Sequence, residues 1–159
     1  MTLLVFYIFI AIGISFLCSL LEAVLLSISP TFIAQIKENN NRAGVVLENT
    51  KLKIDQSISS ILILNTFAHT MGAAGVGAQA IRVFGEKWES LVAVLLTLAI
   101  LYLSEIIPKT LGITFWRQLA IPAAYTIRSL VYLIFPLVWL STRLTRLFSR
   151  HENENISRE

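Results

Sequence analysis

The sequence predicts an all-α integral membrane protein with three transmembrane helices, a cytoplasmic pair of amphipathic helices and a juxtamembrane belt helix. Three observations predict it. Of 159 residues, 55% are hydrophobic and 14% charged, whereas a soluble domain carries about 25% charge. The mean hydropathy is +0.71, and a soluble fold of that composition would lack the polar surface to cover its core. The apolar residues also fall into long runs, of the length that crosses a hydrocarbon core of about 30 Å. The formal net charge of +3 is spread between these runs instead of forming a stripe. That excludes a nucleic-acid partner and leaves the lipid bilayer as the surrounding medium. The single cysteine, Cys18, excludes an internal disulfide and a thiolate metal site.

The first span covers residues 3–28. It has no basic n-region, and its apolar stretch is too long for a signal peptide, so it reads as a retained span. Ser15-Phe16-Leu17 before Cys18 also lacks the small residue that a lipoprotein cleavage site needs. Pro30 ends the run. Residues 31–55 mix both charges around Asn39-Asn40-Asn41 and read as two short amphipathic helices joined by a turn. The second span, residues 58–83, is rich in small residues: Ala68, Gly72, Ala73, Ala74, Gly75, Gly77 and Ala78. Such residues let helices approach closely in lipid, as the packing centre of the bundle or as a dimer seam. The link Phe84-Gly85-Glu86-Lys87 leads to Trp88, an interfacial anchor. The third span, residues 88–113, contains Ser104, Glu105, Pro108 and Lys109.

The segment 116–148 is apolar overall, yet Arg117, Arg128, Arg143, Arg146 and Arg150 recur in and just after it. At about 100° per residue all five fall within roughly 80° of one another, the pattern of a helix lying in the interface. Pro122 and Pro136 can each bend it. The 31–55 segment holds Lys37, Arg42, Lys51 and Lys53, and seven Lys and Arg follow from Lys109 onward. Three spans put both groups on the cytoplasmic side; a fourth span would put Arg143, Arg146 and Arg150 outside. The chain therefore reads as a multi-pass protein of the cell membrane, with the N-terminus outside and the C-terminus cytoplasmic. Residues 149–159 read as a polar tail, with His151 onward frayed.

Ionisable and polar residues at membrane depth are costly and suggest function. Ser19 and Glu22 lie in the inner half of span one, Asn65 about two turns into span two, and Glu105 in the lower half of span three. Ser15, Ser19 and Glu22 share one face by their spacing. Pro108 has no N–H, so the carbonyl of Ser104 loses its helical donor and needs another donor, a water or a cation. Carboxylate, amide oxygen, hydroxyl and bare carbonyl together suit a hard cation such as Mg²⁺. Structural readings stand beside this one. Glu105 and Lys109 are four apart and can pair with each other, or Lys109 can snorkel away and leave Glu105 free. Asn65 can act as interhelical glue, His69 as a packed, hydrogen-bonded histidine, and Glu22 as a packing residue near the interface.

These residues resemble a known family. Phe16, Ser19, Glu22 and Ala23 resemble the Ser-x-Ser-Glu-Thr-Ala region of the CorC/cyclin-M transmembrane domain. Asn65-Thr66 resembles its Gly-Asn-Thr element, and Ser104-Glu105-Ile106-Ile107-Pro108-Lys109 closely matches its Gly-Glu-x-x-Pro-Lys motif. The resemblance implies a homodimeric Mg²⁺ transporter domain that holds a largely dehydrated ion in an inward-facing cavity, with export coupled to Na⁺ entry. It implies Ser19, Asn65 and Glu105 as the ion-binding side chains and a backbone carbonyl near Gly112 as a further ligand. Four positions depart from the pattern: Leu21 stands for a Ser, Ala23 for a Thr, Leu64 for a Gly, and His69 for a second Asn. Fewer oxygen ligands would lower affinity or shift selectivity. Family members continue into an ATP-binding CBS pair, which is not expected within these residues. The competing reading is a non-transporting membrane scaffold or regulator. An enzyme is not expected. There is no His-Glu-x-x-His motif, no second histidine in a span, and no Ser/His/Asp set expected to converge.

Overall fold

The structure, a computed structural model, describes residues 2–156, with side chains to residue 140 except that of Val138. Every regular element among these is helical. α1 covers Thr2–Ser27, α2 Pro30–Asn39, α3 Asn41–Leu52 and α4 Ile54–Phe84. A 3₁₀ turn, Glu86–Trp88, leads into α5 (Glu89–Ala99), a π-helical segment (Ile100–Ile106) and α6 (Ile107–Thr114), and α7 runs over Trp116–Ile156. Four stretches are long and apolar enough to cross a membrane: Thr2–Ser27, Ile54–Phe84, Glu86–Thr114 and Trp116–Leu137. The fourth goes beyond the three spans expected from the basic residues.

The breaks follow from capping chemistry. The Ser29 hydroxyl accepts from the Phe32 N–H at 3.3 Å, with Pro30 in the first turn of α2, where its missing N–H is harmless. Asn40 serves two helices. Its own N–H closes α2 on the Ile36 carbonyl at 2.7 Å, and its side chain accepts from Ala43 N–H at 3.2 Å to start α3. Gly85, at φ +85°, ends α4 in a conformation that favours glycine.

α1 is the central helix and packs against α4, α6, α7 and the π segment. Its contacts with α4 set an antiparallel register. Ser15 meets His69, Ala11 meets Gly72, and Tyr7 meets Gly75. A Cβ at Gly72 would stand 2.3 Å from that of Ala11, so the small residues let the two backbones close up. Ala68 is buried as well, whereas Ala73, Ala74 and Ala78 are exposed and open space surrounds Gly77.

The apolar core gathers at the C-terminal end of α1, where Leu21, Val24, Leu25 and Ile28 meet Val46, Leu47, Ile61 and the Ala120, Ala124, Ile127 face of α7. α2 and α3 close against each other at Gly44, whose Cβ position lies 2.5 Å from the Lys37 backbone. Lys51 of α3 reaches under α1 and donates to the carbonyl of Leu25 at 2.9 Å. Phe32 and Trp116 stack edge to face with centroids 5.0 Å apart, fastening α2 to the start of α7.

α7 is continuous through Pro122 and Pro136, and the helix extends to Ile156, past the expected start of the tail. Arg117 and Arg128 are exposed and lie over Trp116 and Tyr132 at 5.4 and 5.9 Å. The Arg143, Arg146 and Arg150 side chains of the expected basic wedge lie outside the described residues, as do residues 157–159.

Candidate cation site in the membrane

One face of α1 carries Ser15, Ser19 and Glu22, four and three residues apart. Each meets a different environment. The Ser15 hydroxyl hydrogen-bonds His69 Nε2 on α4. Glu22 Oε2 pairs with Lys109 Nζ of α6 at 3.3 Å. Ser19 lies between them, 1% exposed, and its Oγ is buried without a hydrogen-bond partner.

α4 presents Asn65 and His69 one turn apart. Continuing the antiparallel register one turn past the Ser15–His69 contact brings Asn65 level with Ser19. The Asn65 Oδ1 is also buried without a partner. A buried unsatisfied oxygen costs about 1–3 kcal/mol, and two at one level of a helix pair call for an explanation such as an ion. Neither atom hydrogen-bonds the other or Glu105.

Glu105 comes from the π segment. The N–H of Ile107 bonds the carbonyl of Tyr102, five residues back. Pro108 follows with no N–H to offer. Position 108 therefore donates neither to Leu103, its partner in π register, nor to Ser104, its partner in α register. The sequence pointed to one freed carbonyl and a broken helix. The helix instead continues by changing register, a device common at functional sites. Ser104 is buried, and its hydroxyl turns back to the Ile100 carbonyl at 2.7 Å. Glu105 Oε1 faces His69 Nδ1 at 3.9 Å.

The Glu105–Lys109 pairing open in the sequence does not form as an ion pair, because Lys109 is taken by Glu22. Helical spacing reports neighbours on the same helix, so it could not reveal a competitor on α1. Gly112 lies against α1, where a Cβ would meet the Leu20 carbonyl oxygen at 3.0 Å and the Ala23 Cβ at 2.7 Å. It is thus a close-packing position beside the C-terminal part of α1, about a turn past Ser19.

Two features escaped the sequence reading. One is the π segment, for which Pro108 was the only signal. The other is the alignment of Ser15, His69 and Glu105. That order is shared with nucleophilic hydrolases. Here Ser15 is 0% exposed, and 3.9 Å between Nδ1 and Oε1 exceeds hydrogen-bond reach.

Among the described residues no three His, Cys, Asp or Glu gather at one point. A cation here would rest on one carboxylate and neutral donors. A cavity of about 300 Å³ lies elsewhere, between α3, α4 and α7 and lined in part by Lys53, Arg128 and Tyr132. None of Ser19, Asn65, Glu105 or Gly112 borders it.

Comparison with known proteins adds a frame. The family model for the cyclin M transmembrane N-terminal domain matches residues 6–159. A UPF0053 protein of Synechocystis is 32% identical over 89% of this chain and 41% of its own length. The UPF0053 inner membrane protein YfjD of Escherichia coli is 26% identical over 81% of this chain and 30% of its own. A UPF0053 protein of Haemophilus influenzae is 28% identical over 79% and 30%. The chain spans less than half the length of these relatives.

Proposed function

The chain belongs to the cyclin M transmembrane-domain family, and from that premise we propose that it carries Mg²⁺ across the cell membrane, outward and coupled to Na⁺ entry. The observation that carries this reading is the pair of buried, unpartnered oxygens, Ser19 Oγ and Asn65 Oδ1. Glu105, left free by Lys109, supplies the charge nearby. Carboxylate, amide and hydroxyl oxygens are the donors a hard cation takes, and the backbone at Gly112 is a further candidate ligand.

The working form is a homodimer with three spans per subunit. Ala73, Ala74, Gly77 and Ala78 lie uncovered along α4, which supports close approach by a second copy. α7 is a belt in the inner leaflet. In support, Ala120, Ala123, Ala124, Ile127, Leu130 and Ile134 are buried on one side, while Arg117 and Arg128 stay exposed on another. α2 and α3 form the cytoplasmic pair, and the N-terminus is outside.

The test is Mg²⁺ flux from liposomes holding the purified protein. Glu105→Ala and Asn65→Ala are each expected to abolish flux while leaving the oligomeric state of wild type. Wild-type flux in both variants would sink the reading. No flux from the wild type, together with no Mg²⁺-dependent thermal stabilisation, would favour a non-transporting scaffold, a role compatible with the single carboxylate at the site.

A further inference from the structure

His69 is the histidine of the membrane core, and neither packing nor the Mg²⁺ reading accounts for its placement. It stands one turn from Asn65 on the same face of α4. Its two ring nitrogens have different neighbours: Nε2 meets the Ser15 hydroxyl, and Nδ1 faces Glu105 Oε1 at 3.9 Å.

That distance is informative. It is too long for a hydrogen bond, which needs about 2.7–3.2 Å. It is short enough for two ligands of one ion, each within about 2.0–2.2 Å of the metal and so up to roughly 4.3 Å apart. The Ser15 contact favours the same use. With Nε2–H donating to the buried hydroxyl oxygen, Nδ1 turns its lone pair toward Glu105. Metal-binding histidines are commonly oriented this way, by a hydrogen bond from the nitrogen that does not bind the metal. Two sets of lone pairs facing across 3.9 Å repel unless something positive lies between them. The other tautomer aims Nδ1–H at a carboxylate out of reach and leaves the same gap. Both side chains are part exposed, 26% for His69 and 33% for Glu105.

An imidazole nitrogen changes what the site prefers. Mg²⁺ takes oxygen ligands, whereas Mn²⁺, Co²⁺ and Zn²⁺ accept imidazole and gain affinity from it. We propose that the His69 Nδ1–Glu105 pair makes this chain's cation site select a first-row divalent transition ion over Mg²⁺. The proposal rests on the cation-transport reading above and names its substrate class. No third His, Cys, Asp or Glu joins the pair among the described residues. The remaining ligands are therefore neutral oxygens, Asn65 Oδ1 first among them, and water.

The test is thermal unfolding of the full chain in detergent, titrated separately with MgCl₂, MnCl₂ and CoCl₂. Wild type is expected to reach half-maximal stabilisation with Mn²⁺ and Co²⁺ at about tenfold lower concentration than with Mg²⁺, and His69→Asn to lose that preference while still responding to Mg²⁺. Pulsed electron paramagnetic resonance of the Mn²⁺-loaded wild type gives a second readout that needs no variant. Coupling to an imidazole nitrogen is expected. Equal response to all three ions in the wild type, a preference that survives in His69→Asn, or no nitrogen coupling overturns the proposal. If Mg²⁺ alone binds, only the His69 inference falls. If no divalent ion binds, the transport reading falls with it.

Discussion

Ser19 Oγ and Asn65 Oδ1 are costly atoms in the ion-free protein, and the cost can be measured. Each is buried without a partner, a penalty of about 1–3 kcal/mol. Ser19→Ala is therefore expected to melt at or above the wild-type temperature when divalent ions are chelated, and below it in excess divalent ion. A loss of stability in the chelated state would show that the hydroxyl does useful bonding when no ion is present. At this scale the sequence singled out the polar residues within apolar runs and was a poor guide to whom they meet. Ser19, Asn65 and Glu105 stood out because polar groups are rare in apolar runs. The partner of Lys109 did not, since Glu22 lies on another helix and the within-helix choice, Glu105, has the more favourable spacing. His69 read as a packed, hydrogen-bonded histidine, and its bond to Ser15 fits that. Its second neighbour, Glu105, was invisible until the three helices were assembled.

Among the elements, the π segment governs where Glu105 points. Pro108→Ala returns an N–H at position 108, which lets the Ser104 carbonyl regain a helical donor and shortens the π stretch. Each residue of register is about 100° of rotation, so Glu105 would swing away from His69. Cation flux is expected to fall about tenfold with the melting temperature held or raised, because an interior proline costs a helix about 3 kcal/mol. Wild-type flux in this variant would separate the π geometry from transport. The long apolar runs read in the sequence fall on α1, α4 and the α5–α6 stretch, and Asn40 marked the α2–α3 break. It could not foresee register change inside a helix. A π turn leaves no periodicity of its own, and one proline is compatible with a kink, a break or a shift.

At the scale of the whole chain, Lys51 joins the α2–α3 pair to the end of α1 through the Leu25 carbonyl. Burial lowers the Lys51 pKa below its ordinary value. Folding thus disfavours the protonated amine. That unfavourable contribution is fully present below the lowered value and disappears as pH rises from there through the unfolded value of about 10.4. Unfolding of Lys51→Met is expected to lack this alkaline rise relative to wild type; parallel pH profiles would show that the amine is solvated after all. The number of crossings is the architectural point least legible in the sequence. Counting basic residues argued for three, while length and apolarity admit Trp116–Leu137 as a fourth candidate. A helix packed on one face and basic on another satisfies both descriptions. An accessibility label on a cysteine placed at residue 150 is expected to react from the cytoplasmic side, and reaction from outside would establish a fourth crossing.

The partnership of Lys109 with Glu22 also decides where the uncompensated formal charge of the site lies. Those two formal charges cancel, and the formal negative charge left over is that of Glu105. A divalent ion turns that into one net positive charge. A membrane potential exerts about 2.3 kcal/mol per elementary charge per 100 mV. On the export reading proposed above, an inside-negative potential therefore opposes both the outward step of the loaded form and the inward return of the empty one, work that Na⁺ entry would have to supply. Had Lys109 paired with Glu105 instead, the uncompensated formal charge would sit on Glu22 of α1, and the field would act there rather than at the π segment.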